Sequence, residues 1–194
     1  RKMLPLYEAV IIDNVGHFVT NALFIVAITV VGFRFEPQGF PAALRVNRRV
    51  AKDILATLLL LPVILGVRYA FSVVTGKVVP LDEVMANAPY FAGDLPSMLV
   101  TLLEGVTSVF DEELFYRALL FTLLLRVTGP WSSAILSASA FVLVHTRYWS
   151  DPWKLVDLFL AGLAYAFLLW WRKHIWCGFV IHCGENLFVY FLPA

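Results

Sequence analysis

The chain has 194 residues, of which 60% are hydrophobic and 15% charged, with a formal net charge of +1. Soluble domains are about 45–50% apolar and about 25% charged, so composition excludes an ordinary water-soluble globule and implies an integral membrane protein. A pI near 8.0 and the lack of a basic tail give no case for nucleic-acid binding; the lipid bilayer is the expected surrounding, with the inner membrane of a prokaryotic cell as the expected location.

A bilayer core needs about 20 apolar residues per helix, and about six segments qualify in chain order. The first runs from about Val10 to Phe33. It is long and lacks a small-residue cleavage pattern, so it does not read as a cleavable signal peptide. Because Arg1 rather than Met opens the chain, a preceding segment is conceivable. The linker that follows contains Pro37, Gly39 and Pro41, then Arg45, Arg48, Arg49 and Lys52; its second half is expected to lie as an amphipathic helix on the membrane surface. The second apolar segment, Ile54 to Val74, carries Arg68. A second linker, 76–96, holds Pro80, Pro89, Gly93 and Pro96 with Asp82, Glu83 and Asp94.

The third segment is long, from about Leu95 to Val127, and contains Glu112, Glu113 and Arg117. The fourth is Trp131 to Tyr148, the fifth Trp153 to Trp171 and the sixth Ile175 to Leu192. Their connections are tight (Gly129-Pro130, Ser150-Asp151-Pro152, Arg172-Lys173-His174), which forces an up-down bundle. Tryptophans 131, 149, 153, 170, 171 and 176 flank these helices as an interfacial belt would. Only helices close their own backbone hydrogen bonds in lipid without forming a barrel. The expected fold is therefore an all-α polytopic membrane bundle, with two N-terminal transmembrane helices and interfacial linkers over 1–96 and a four-helix core over 97–194. Cys177 and Cys183 are six residues apart in one helix and turn to different faces, so packing rather than a disulfide is expected.

If all segments span, the 34–52 linker shares a face with Arg126, Arg172 and Lys173. The positive-inside rule then puts that face in the cytoplasm and both termini outside.

Three of the last four helices carry polar groups that their apolar surroundings do not explain. A charge at the bilayer centre costs roughly 2.5 kcal/mol or more, so such groups usually mark chemistry or an ion path. Glu113 and Arg117 stand at i and i+4 with the acid first, the favourable order for an ion pair. His182 and Asn186 have the same spacing and share one helix face. Glu112 lies 14 residues before Arg126 and His145 lies 14 after Trp131, so both sit about 21 Å from one membrane face. Each group suits amide hydrolysis. A carboxylate in an apolar site can take a proton from water, an imidazole can share it or pass it to the leaving amine, and an asparagine amide with a second imidazole can donate to an oxyanion. Arg117 can hold one glutamate ionised and so separate the two carboxylates' roles.

The ordered set Glu112-Glu113-xxx-Arg117, Phe141-xxx-His145 and His182-xxx-Asn186 resembles the CPBP family of intramembrane proteases, which includes CAAX-processing Rce1-type enzymes and bacterial Abi proteins. The resemblance covers roughly residues 97 to 192 and makes the four-helix core the catalytic part. It implies that Glu112 and His145 activate water, that His182 and Asn186 form the oxyanion site, and that Glu113, Arg117 and Phe141 support the geometry. It implies a peptide or protein tail as substrate, presented at or in the membrane, and no metal or other cofactor. Ala118 stands where the family often has glycine, and Glu185 beside the last pair is less usual.

Other readings compete with this one. A non-catalytic relative could bind a membrane partner as an immunity or scaffold protein. A proton-coupled transporter would use the carboxylate pair, but repeat symmetry and paired broken helices are missing. Zinc is an alternative within the enzyme reading, since two histidines and a glutamate form a ligand set; against that, Glu185 is expected to pair with an arginine. Arg68 is expected to pair or snorkel.

Overall fold

The computed structural model describes residues 6–74 and 95–191, all of whose regular structure is helical. Helices α1 (Leu6–Phe35), α2 (Gly39–Ala43) and α3 (Arg48–Val74) come first. Helix α4 (Leu95–Glu112) runs without a break into a π-helical segment (Glu113–Phe121) and a last turn, α5 (Thr122–Leu125). Helices α6 (Pro130–Val144), α7 (Pro152–Arg172) and α8 (Trp176–Phe191) complete the bundle. The chain is thus an all-α membrane helical bundle. The expected 76–96 linker lies outside the described residues except at its end.

Among the described residues, three helical stretches are long and apolar enough to cross a membrane: Ile12–Phe35, Arg48–Phe71 and Pro152–Arg172. Their outward faces are rich in exposed Val, Leu and Phe, as lipid contact requires. Several hydroxyls in the helices are satisfied locally, whereas the buried Ser137 donates across to Tyr116 O at 2.7 Å. Thr20, Thr57, Thr107 and Ser133 each donate to a carbonyl one turn back.

Two expectations need correction. The second half of the first linker does not form a surface helix of its own. The chain turns through α2, and Arg48, Arg49 and Lys52 are already in the first turns of α3. Asn47 starts that helix by accepting from the Arg49 and Val50 amides at 2.9 and 3.0 Å. The fourth apolar segment stops at Val144 rather than Tyr148. His145 leaves the helical region at φ −83° and ψ 53°, and a 3₁₀ turn, Thr146–Tyr148, follows. At 15 residues α6 is about 22 Å long, shorter than the ~30 Å hydrocarbon core.

One end of the bundle is closed by polar contacts. Arg126 at the end of α5 pairs with Glu36, Nε to Oε2 at 2.6 Å. Arg172 at the end of α7 pairs with Asp53, which also meets His174 Nε2 at 3.1 Å. The Ile175 amide donates to Ala43 O at 3.0 Å and the Trp176 indole to Arg45 O at 3.1 Å. The 34–52 linker and residues 126 and 172 therefore share a face, as the up-down reading requires. Beneath this cap, Phe40 and Ala43 pack with Leu114, Leu119, Phe121, Ala166 and Ile175 in the apolar core. Exposed Trp131, Trp149, Trp153 and Trp171 lie at or next to helix ends. Cys177 and Cys183 are free thiols.

Helices α6 and α7 pack closely because residue 162 is glycine. A Cβ there would lie 3.1 and 3.2 Å from the Cβ and Cα of Ala138, tighter than ordinary contact. This close approach sets the helix that carries Phe141, and ends at His145, against the one that carries Tyr165.

Candidate active site

The polar site is built around the π segment. A π-helix has a wider turn than an α-helix and occurs mostly as single-turn bulges, frequently at functional sites. Here it begins at Glu113 and contains Arg117. The wider turn brings residues i and i+4 closer to eclipsed than the 3.6-residue turn does. Glu113 Oε1 and Arg117 Nη1 are 3.7 Å apart, and both side chains are almost wholly buried.

Arg117 makes this pair its only ionic contact and has no hydrogen bond at Nε, Nη1 or Nη2 among the described residues. Aromatic faces surround it instead. Its guanidinium carbon lies 4.5 Å from the Phe141 centroid, 5.1 Å from Tyr165 and 5.7 Å from Tyr116. Such faces attract a cation through the ring quadrupole, more strongly when water is excluded. Phe141 is therefore one wall of the Arg117 box and holds it from α6. The same ring is 4.6 Å from the His145 ring and 5.9 Å from the His182 ring.

His182 joins both glutamates. Its Nδ1 lies 3.1 Å from Glu113 Oε1 and its Nε2 lies 3.4 Å from Glu112 Oε2. A ring that meets a carboxylate at each nitrogen has a donor on both only as imidazolium. Glu113 is also balanced by Arg117, whereas Glu112 is partly open, with a quarter of its side chain accessible. The two adjacent carboxylates are thus differentiated: Glu113 is locked in the bundle, and Glu112 faces the accessible side. Gly178 makes room for this, since a Cβ there would be 3.2 Å from Glu113 Oε2.

His145 is placed by the end of α6. Its Nδ1 lies 2.7 Å from Phe141 O, a carbonyl that the terminating helix leaves without its usual amide partner. That bond puts the proton on Nδ1 and leaves Nε2 as a free acceptor. Tyr116 packs on Phe141 at 5.3 Å, so α6 and the π segment run side by side here, with His145 one turn beyond the contact and Glu112 one turn before it. Among the described residues no hydrogen bond or ion pair joins the two; Glu112 meets His182 directly.

Asn186 lies one turn beyond His182. It lines a small cleft between α4 and α8 with Thr101, Gly105, Val106 and Cys183. Its amide makes no hydrogen bond among the described residues, so it is free to donate to an entering group. The structure thus gathers Glu112, Glu113, Arg117 and His182 by direct contact, brings His145 to them across Phe141, and sets Asn186 in the neighbouring cleft.

Glu185 turns elsewhere. It is buried, accepts from the Tyr165 hydroxyl and pairs with Arg68, which also pairs with Asp157. The arginine partner expected for Glu185 is therefore Arg68. This commitment withdraws the extra carboxylate from any zinc site. Tyr165 is the site residue that sequence reasoning missed. Its ring stacks on His182 at 5.0 Å and 23°, and its hydroxyl is taken by a residue 20 positions away, which no local spacing reveals.

Residues 94–188 match the family model described as type II CAAX prenyl endopeptidase, Rce1-like. No curated protein and no solved structure matches the chain. The matched residues contain Glu112, Glu113, Arg117, His145, His182 and Asn186.

Proposed function

We propose that this chain, which belongs to the Rce1-like endopeptidase family through residues 94–188, hydrolyses a peptide bond in a peptide or protein tail presented at or in the membrane. Family membership gives the protease class; the contact of His182 with both Glu112 and Glu113 carries the assignment of roles. Glu112 is the general base. It takes a proton from water as the water oxygen attacks the scissile carbonyl carbon. His145, with Nε2 free, assists from the adjoining helix end.

The tetrahedral oxyanion accepts from His182 Nε2–H and the Asn186 amide, which lie one helical turn apart. Preorganised donors of this kind typically supply a few kcal/mol of transition-state stabilisation. Glu113 and Arg117 hold the His182 ring by its other nitrogen. Breakdown of the intermediate cleaves the C–N bond, and the proton collected by Glu112 or His145 passes to the leaving amine. This reading calls on no metal, since Glu112 and His145 can move the protons; Glu185 is engaged with Arg68 and Tyr165.

The test is cleavage by purified protein in proteoliposomes, offered peptide tails with and without a prenyl group. Wild type should release a new carboxyl terminus, and His182→Ala should not. Equal cleavage by both proteins would refute the role given to His182. Dependence on the prenyl group would define the substrate class.

A further inference from the structure

We propose that Arg68, on a helix outside the family-matched segment, is a positioning residue for His182, acting through Glu185 and Tyr165. The inference rests on the endopeptidase reading for its kinetic consequence. The chain of contacts is short and specific. Arg68 Nη1 pairs with Glu185 Oε2, and the same oxygen accepts from the Tyr165 hydroxyl. The Tyr165 ring then lies nearly parallel to His182, 5.0 Å from it. The other side of the arrangement is fixed, because Tyr165 also borders the Arg117 guanidinium at 5.1 Å.

Tyr165 and Glu185 are buried, at 2% and 7% exposure, so neither has water as an easy substitute partner. A buried carboxylate without a cation is costly. Arg68 is the only cation that meets Glu185 among the described residues. Removing it would force Glu185 to neutralise or move, and the phenol bonded to it would follow. The ring that forms one face of the His182 pocket would then lose its anchor. The N-terminal helix α3 in this way completes a site whose reacting groups all lie in the C-terminal half.

A simpler role would be a staple between α3, α7 and α8. The two are separable, because Arg68 has two acidic partners. Asp157 belongs to the staple alone, and Lys154 neutralises it independently at 3.1 Å. Asp157→Asn therefore weakens the staple and leaves the route to His182 intact.

The experiment compares Arg68→Met, Arg68→Lys, Tyr165→Phe, the Arg68→Met/Tyr165→Phe double variant and Asp157→Asn in proteoliposomes. Small displacements of a reacting group cost on the order of 10- to 100-fold in rate. Arg68→Met and Tyr165→Phe should each lower kcat by about 10-fold, with KM changed by less than about 2-fold. The double variant should be no slower than the worse single, because both break one route. Arg68→Lys should retain more activity than Arg68→Met, and Asp157→Asn should match wild type. Losses that multiply in the double variant, or an Asp157→Asn loss equal to that of Arg68→Met, would overturn the proposal. If Arg68→Met does not fold, Tyr165→Phe, which removes only a hydroxyl, decides against Asp157→Asn. A second readout needs no catalysis: the ¹⁵N resonances of the His182 ring should move in Arg68→Met and Tyr165→Phe but not in Asp157→Asn. Absence of cleavage by folded wild type would refute the endopeptidase reading; unmoved resonances would refute the role of Arg68.

Discussion

His182 Nδ1 stands 3.1 Å from Glu113 Oε1, across 69 residues of sequence and inside the buried core. This contact makes Glu113 a fixed support for the imidazole and leaves Glu112 as the carboxylate with room to work. Glu113→Gln keeps a hydrogen-bond acceptor for Nδ1 but removes the charge that faces Arg117. Its kcat should fall by about 10-fold or more while KM holds, because proton-transfer and orientation terms of this kind are typically 10²–10⁴-fold when lost outright. Steady-state kinetics in proteoliposomes checks this; an unchanged kcat would remove Glu113 from the site.

Arg117 is held by one carboxylate and three aromatic faces. Arg117→Met strands a buried Glu113 and should destabilise the fold by about 3–5 kcal/mol, the range for breaking a buried pair from one side. Arg117→Lys should also fail to restore wild-type stability, since an ammonium cannot stack as a plane on Phe141. Thermal unfolding in detergent, monitored by helical signal, should rank wild type above Lys and Lys above Met.

His145 and Asn186 should report different steps. His145→Ala should reduce cleavage by about 10²-fold or more through lost proton transfer. Asn186→Ala should cost on the order of 10²–10³-fold through a lost oxyanion donor. Both side chains are half-buried, and the Asn186 amide is unpaired among the described residues, so melting temperatures should stay near wild type. A large drop in melting temperature for Asn186→Ala would mean that it serves packing instead.

The contact at Gly162 gives a test of the scaffold. Gly162→Val should cost about 1–3 kcal/mol by overpacking against Ala138, as forced enlargement of a packed contact does. Gly162→Ala should cost less. Both should lower activity, since α6 carries Phe141 and His145 caps its end.

Much of this site was readable because helical spacing is a local rule. The i,i+4 intervals of Glu113/Arg117 and His182/Asn186 put each pair on one face, and the unusual cost of charge in apolar helices pointed to them. The expectation that Glu185 would meet an arginine followed from the same cost, and Arg68 supplies it. What remained hidden depends on tertiary contact. The π turn at Glu113 lies where the helix packs against α6, α1 and α7, and no residue in the run marks it. The end of α6 at Val144 follows from the His145 ring taking the Phe141 carbonyl, a competition between side chain and backbone that hydropathy does not register. Tyr165 reads as one more aromatic in an apolar helix until Glu185 and His182 are seen beside it.

If Glu112 is the base of a working protease, its loss must show in the substrates themselves. The most direct measurement is quantitative mapping of membrane-protein termini in cells that carry wild-type chain or Glu112→Gln at equal abundance. Glu112→Gln is nearly isosteric at a partly open position, so the fold should be retained. New carboxyl termini should appear in wild-type membranes and be absent in the variant, with the uncleaved precursors accumulating there. Identical termini in the two samples, with a wild-type cellular phenotype for the variant, would contradict it and leave a protein that binds its partner without cutting it.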